Sequence, residues 1–172
     1  MPASPSVPVS PDRRAEPLQR LLFGGIYGTI LASALAAALD NDNGHPDPGY
    51  DALWVLLTSL ASAGAHGYAH AIAHRTADGA AVTSSVVRSV LTEWPLTAAV
   101  LPTVAALLGA HAGWWNEDAA IGVALTINTV ALFGWGLWAA RVAGRGWARS
   151  CRTGCVDMLL GLFIVAANIL SH

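Results

Sequence analysis

The chain contains no lysine, and charged residues make up only 12% of its 172 residues. Soluble domains average about 25% charged residues, so this deficit is unusual for a chain surrounded by water. All nine basic residues are arginines and the formal net charge is −2. A charge this close to zero, with no basic patch interleaved with aromatic residues, argues against nucleic acid as a partner.

Several motifs that enzymes use are also missing. The sequence has no Gly-x-Ser-x-Gly nucleophile turn, no phosphate-binding loop and no His-Glu-x-x-His metal motif. An enzyme is therefore the least favoured class of function.

Long apolar segments are what the chain does have. Hydrophobic residues make up 54% of it and the mean hydropathy is +0.49. A helix needs about 20 apolar residues to cross the hydrocarbon core of a membrane. Lipid offers no hydrogen bonds to the backbone, and in a helix the backbone N–H and C=O groups bond to each other. We predict an all-α fold, a five-helix transmembrane bundle in a lipid bilayer, with spans at Leu21–Leu39, Ala52–Ala73, Pro95–Ala112, Ala119–Ala140 and Gly154–Leu170.

Arginine placement predicts how these segments thread through the membrane. Acidic residues occupy the connections after the first and third spans, and every arginine lies in the N-terminal segment or in the other two connections. Because positive residues stay on the cytoplasmic side, the N-terminus is predicted to be cytoplasmic and the C-terminus outside. The arginine-only basic set and the abundant Ala and Gly indicate a GC-rich bacterial genome. The predicted location is a bacterial cytoplasmic membrane, crossed several times.

The N-terminal part divides into a tail and a first span. Residues 1–17 hold five of the nine prolines and are predicted to be a disordered cytoplasmic tail, before a five-span domain at 18–172. A signal peptide is the alternative, because the first apolar run ends in the small-x-small pattern Ala34-Leu35-Ala36. We favour a retained helix, since small residues recur at every fourth position and form a ridge for close packing: Gly24, Gly28, Ala32 and Ala36.

The connection before the third span is amphipathic. Ser84–Glu93 alternates aliphatic and polar side chains at helical spacing. It is predicted either to form a short interfacial helix or to continue into the third span, because Pro95 fits a first helical turn. Five short helices leave little room for an enclosed pathway, so self-association as a homo-oligomer is a further expectation.

Titratable and polar residues inside the spans are the candidates for chemistry, because such groups are costly in hydrocarbon. The predicted threading places five of them, from four helices, in the cytoplasmic third: Tyr27, His66, His70, Glu93 and Asp157. We predict an ion or proton site there. Its metal ligands would be His66, His70 and Glu93, because histidines four residues apart share a helix face and a carboxylate completes a set for a divalent metal such as zinc, manganese or iron.

A structural interpretation competes with that site. The same groups can form hydrogen bonds between helices and hold the bundle together. Two functions therefore stay open: a packing or partner-binding membrane component, which ranks first, and a small cation or proton transporter.

Three further residues have simpler interpretations. Asn128, in the middle of the fourth span, is predicted to bond across helices. Cys151 and Cys155 are predicted to be free thiols because the cytoplasm is reducing. Their spacing also differs from the Cys-x-x-Cys that is usual in zinc sites.

Short segments of the chain resemble a known group. The segments are Gly25-Ile26-Tyr27-Gly28-Thr29-Ile30, His66-Gly67-Tyr68-Ala69, Glu93-Trp94-Pro95 and Leu132-Phe133-Gly134-Trp135-Gly136. Over about residues 21–172 the sequence resembles small polytopic integral membrane proteins of actinobacteria. That resemblance implies a multi-span membrane topology and does not indicate a substrate.

Overall fold

The computed structural model describes residues 12–40, 47–78 and 93–171. Within these ranges the chain forms helices joined by turns, and no strand is present. The prediction of an all-α bundle is confirmed. The helices are α1 Asp12–Asp40, α2 Pro48–Asp78, α3 Trp94–His111, α4 Glu117–Val142 and α5 Trp147–Ser171.

Two predicted segments, the N-terminal tail and the amphipathic connection before the third span, lie partly outside the described residues. Helix α1 begins at Asp12, inside the predicted tail, because Arg13-Arg14-Ala15-Glu16 are residues of high helix propensity and an aspartate favours a helix N-terminus. Residues 1–11 lie outside the described residues. So does the amphipathic segment Ser84–Glu93, apart from Glu93 itself.

Four of the helices are long and apolar enough to cross a membrane. They are the α1 segment Pro17–Leu39, α3, α4 and the α5 segment Trp147–Leu170. The chain is therefore a multi-pass membrane protein by composition and length. Helix α2 is not among the four, although its 31 residues exceed the length of a span. Serine, glycine and histidine in its second half lower its apolar content.

Helix α1 lies at the centre of the bundle. It contacts α3, α4 and α5, and to a smaller extent α2, while α2 packs chiefly on α3 and α5 chiefly on α4. The buried core follows this arrangement, with Ala32 and Ala36 from α1 fully covered by the neighbouring helices.

The predicted small-residue ridge on α1 is confirmed as a packing surface. A methyl group added to Gly28 would lie 2.5 Å from the carbonyl oxygen of Leu96 and 2.9 Å from the Cβ of Ala99, both in α3. One turn earlier, a methyl group on Gly24 would lie 3.1 Å from the backbone nitrogen of Leu96. The absence of side chains at these two positions lets the backbones of α1 and α3 approach each other closely.

Tight turns fix the last three helices as antiparallel neighbours. Gly113 has φ +78° in the turn between α3 and α4, and Gly144 has φ +73° in the turn between α4 and α5, a conformation that glycine adopts without steric cost. The side chain of Asn116 caps α4, where it accepts a hydrogen bond from the backbone N–H of Ala119 at 2.9 Å. The indole of Trp115 folds back and donates to the carbonyl oxygen of Ala106 at 3.0 Å.

Candidate functional site

Two of the predicted site residues meet between α1 and α2. The ring centroids of Tyr27 and His66 are 5.4 Å apart. Phe23, one turn before Tyr27 on α1, stacks on both, with its ring centroid 5.3 Å from that of His66 and 5.8 Å from that of Tyr27. The three rings form a cluster at the outer edge of the bundle, since Phe23 is about half exposed and His66 is half-buried.

Sequence reasoning did not include Phe23 in this cluster. An aromatic residue four positions before Tyr27 lies on the same face of a helix, so the spacing alone predicts that Phe23 lies beside Tyr27.

The second predicted ligand, His70, belongs to α2 one turn after His66, but its side chain lies outside the described residues. Among the side chains that are described, no three His, Cys, Asp or Glu residues are grouped closely enough to hold a metal ion. The metal site formed by His66, His70 and Glu93 therefore stays a prediction.

Glu93 lies at the start of α3. It is buried, with 8% of its surface exposed, and takes the N-cap position without a capping hydrogen bond from its side chain. Its backbone carbonyl accepts from the N–H of Leu96 at 3.1 Å. A carboxylate near the N-terminus of a helix interacts favourably with the positive end of the helix dipole.

Asp157 is engaged with a different pair of helices. Its carboxylate carbon lies 2.9 Å from the position that a methyl group on Gly136 of α4 would take. The Cα of Gly154, one turn earlier on α5, lies 3.0 Å from the same position. Asp157 is half-buried in this α4–α5 contact, whereas Tyr27 and His66 meet between α1 and α2.

The bond across helices predicted for Asn128 is confirmed. Its amide nitrogen donates to the hydroxyl of Thr103 on α3 at 2.9 Å, and both residues are almost completely buried. Among the described residues, the amide oxygen of Asn128 has no hydrogen-bond partner. Exchanging the amide oxygen and nitrogen would transfer the deficit to the nitrogen, because Thr103 pairs with one end of the group. Sequence reasoning missed Thr103, since short polar residues are common in membrane helices and nothing in the spacing marks this one.

Three other buried hydroxyl groups bond within their own helices. The hydroxyls of Thr29, Ser33 and Thr129 each donate to the carbonyl four residues earlier, at 2.7 to 2.9 Å. Such bonds satisfy a hydroxyl in hydrocarbon without a partner helix. Both cysteines are free, as predicted, with Cys151 half-buried and Cys155 exposed.

Comparison with known proteins adds no relative: no protein-family model, curated protein or solved structure matches this chain.

Proposed function

We propose that this protein is a packing or partner-binding component of a bacterial cytoplasmic membrane, and that its first partner is a second copy of itself. The observation that carries the proposal is a stripe on the outer face of α4, formed by the small residues Gly122, Thr126 and Gly134 together with Val130. All four are exposed, and a methyl group added to either glycine would contact nothing within 4 Å among the described residues.

The outward stripe repeats the design of the inward ridge on α1. Both place small residues on one helix face at spacings of four residues or a multiple of four, and on α1 this spacing brings the backbone of α3 into close contact. Helices associate in lipid mainly through such close packing, because the bilayer supplies no hydrophobic force between them. The hydroxyl of Thr126 already donates a hydrogen bond to the carbonyl of Gly122 at 2.8 Å. Covering it with a second helix would therefore not leave an unpaired hydroxyl buried.

Replacing Gly122 and Gly134 together by leucine is expected to abolish self-association. Leucine side chains would hold a second helix away from the α4 backbone, and we expect at least a tenfold rise in the dimer dissociation constant, about 1.4 kcal/mol. Fluorescence energy transfer between labelled copies in liposomes, at varied protein-to-lipid ratios, measures the dimer dissociation constant. Ala105→Leu, an exposed small residue on α3, is the matched control. Energy transfer that is absent in the unmodified protein, or equal in all three proteins, contradicts the proposal.

The proposed orientation has a cytoplasmic N-terminus and an external C-terminus. It requires α2 to cross the membrane along with the four more apolar helices. If α2 did not cross, the arginines of the α4–α5 turn and those of the N-terminal segment would lie on opposite sides, against the positive-inside rule. The polar character of α2 suits a helix that rests on protein, and Ser59 is fully buried there.

A small cation or proton transporter is the second candidate, favoured by the contact between Tyr27 and His66. The two functions differ in a flux experiment. If the protein is a packing component, proteoliposomes that contain it will dissipate a pH gradient no faster than proteoliposomes with His66→Ala or Glu93→Gln. Flux that the unmodified protein supports and that either substitution removes would favour the transporter. A thermal melting curve for each variant, followed by intrinsic tryptophan fluorescence, shows that the variant is folded.

A further inference from the structure

The turn between α4 and α5 and the first turns of α5 form an unusually basic cleft. It encloses about 370 Å³ and is lined by Arg145, Arg149, Arg152, Thr153 and Val156. The three arginines are exposed, and within the described residues none of them pairs with a carboxylate. Three guanidinium groups lining one cleft without an acidic partner form a site for an anion.

The cleft is held in a defined shape by the turn. Arg145 donates from Nη1 towards the hydroxyl of Thr153 at 3.5 Å, and its own carbonyl accepts from Nη1 of Arg141 at 3.1 Å. The guanidinium of Arg141 lies 4.5 Å above the ring centroid of Trp147. These contacts place Arg145 beside the arginines of α5 before any ligand arrives, which reduces the entropy lost on binding.

An apolar track leads from the cleft along the same face of α5. Arg149, Arg152, Val156, Leu159 and Phe163 follow one another at three- or four-residue spacing and so lie on one side of the helix. Val156 is 61% exposed, Leu159 59% and Phe163 71%, in the helix that is least covered among the four apolar helices. A ligand with an anionic head and hydrocarbon chains matches this order of groups.

We propose that the cleft binds the headgroup of an anionic phospholipid, whose acyl chains lie along Val156, Leu159 and Phe163. The phosphate is held by Arg145, Arg149 and Arg152. Basic pockets at membrane interfaces bind anionic lipids in this way, whereas a free phosphate would gain nothing from the apolar track. The proposal does not depend on the α4 interface, which uses a different helix face.

Titration of the detergent-solubilised protein with phosphatidylglycerol or phosphatidylcholine of the same chain length, read by native mass spectrometry, tests the proposal. We expect phosphatidylglycerol to bind about thirtyfold more tightly, and the double substitution Arg149→Gln with Arg152→Gln to remove the preference. Arg20→Gln, which changes an exposed arginine of α1 outside the cleft, is expected to keep it. Equal melting temperatures show that the variants are folded.

Four results would overturn the proposal. The first is equal affinity of the unmodified protein for the two lipids, and the second is a preference that survives the double substitution. The third is displacement of phosphatidylglycerol by millimolar inorganic phosphate, which would assign the cleft to a soluble anion. A disulfide between the exposed Cys155 residues of two copies, formed efficiently in native membranes, would instead indicate that a second chain covers this face, and would also overturn it.

Discussion

Adding one methyl group at Gly28 is expected to destabilise the bundle strongly. In Gly28→Ala the new Cβ would lie 2.5 Å from the carbonyl oxygen of Leu96 and 3.0 Å from its Cα, and backbone atoms of a packed helix cannot move aside as a flexible side chain can. Helices α1 and α3 would have to separate at the centre of the fold. Overpacking of this kind costs about 1–3 kcal/mol or more, which a thermal melt of the detergent-solubilised protein would record as a lower midpoint.

Gly64→Ala is the matched control for this substitution. Gly64 is also inside a helix, but a methyl group there would contact nothing within 4 Å. Alanine has the higher helix propensity, so the control is expected to melt at the same temperature or slightly higher. If Gly28→Ala has the same melting temperature as the control, the close contact between α1 and α3 does not exist in the protein.

The second large effect is expected where α4 meets α5. In Gly136→Ala the new methyl group would collide with the carboxylate of Asp157 and lie 3.0 Å from the Cα of Gly154. We expect a loss of about 1–3 kcal/mol of stability. Adding Asp157→Ala should restore part of it, because that substitution removes the nearer obstacle and leaves the backbone of Gly154 in place. The two substitutions should therefore couple, as residues in contact do.

Gly134→Ala separates this contact from a general effect on α4. Gly134 lies two residues before Gly136 and faces outward, where a methyl group would contact nothing within 4 Å. Its substitution is expected to leave the melting temperature of the monomer unchanged. Additive effects of Gly136→Ala and Asp157→Ala would show that Asp157 does not lie against α4, and would reopen its assignment to an ion site.

The helices could be predicted from the sequence because lipid imposes a length and an apolar content on each span. All five predicted spans correspond to helices, four of them apolar enough to cross a membrane, and the ridge from Gly24 to Ala36 was recognisable from its spacing. The start of α1 was not, because the prolines in the first residues outweighed the helix-forming run from Arg13 to Glu16.

Neighbour relations between helices were harder to predict than the helices. Depth in the membrane follows from arginine placement, and it brought Tyr27 and Asp157 into one predicted layer. The direction in which each side chain points around its helix does not follow from depth, so Asp157 packs on Gly136 while Tyr27 meets His66. Trp135 illustrates the same limit. Its indole packs against Gly25 of α1, where an added methyl group would lie 2.5 Å from the ring, and no sequence spacing relates these two residues.

Cysteine accessibility tests the central claim, that these helices thread through a membrane with the α3–α4 turn outside and the α4–α5 turn inside. Both native cysteines are first replaced by serine, and a single cysteine is then placed at Ala112, in the α3–α4 turn, or at Ala143, in the α4–α5 turn; both are exposed and have ordinary helical φ values of −75° and −73°. In intact cells a membrane-impermeant maleimide should label Ala112→Cys and leave Ala143→Cys unlabelled until the membrane is permeabilised. Labelling of both positions in intact cells, or of Ala143→Cys alone, would contradict the account.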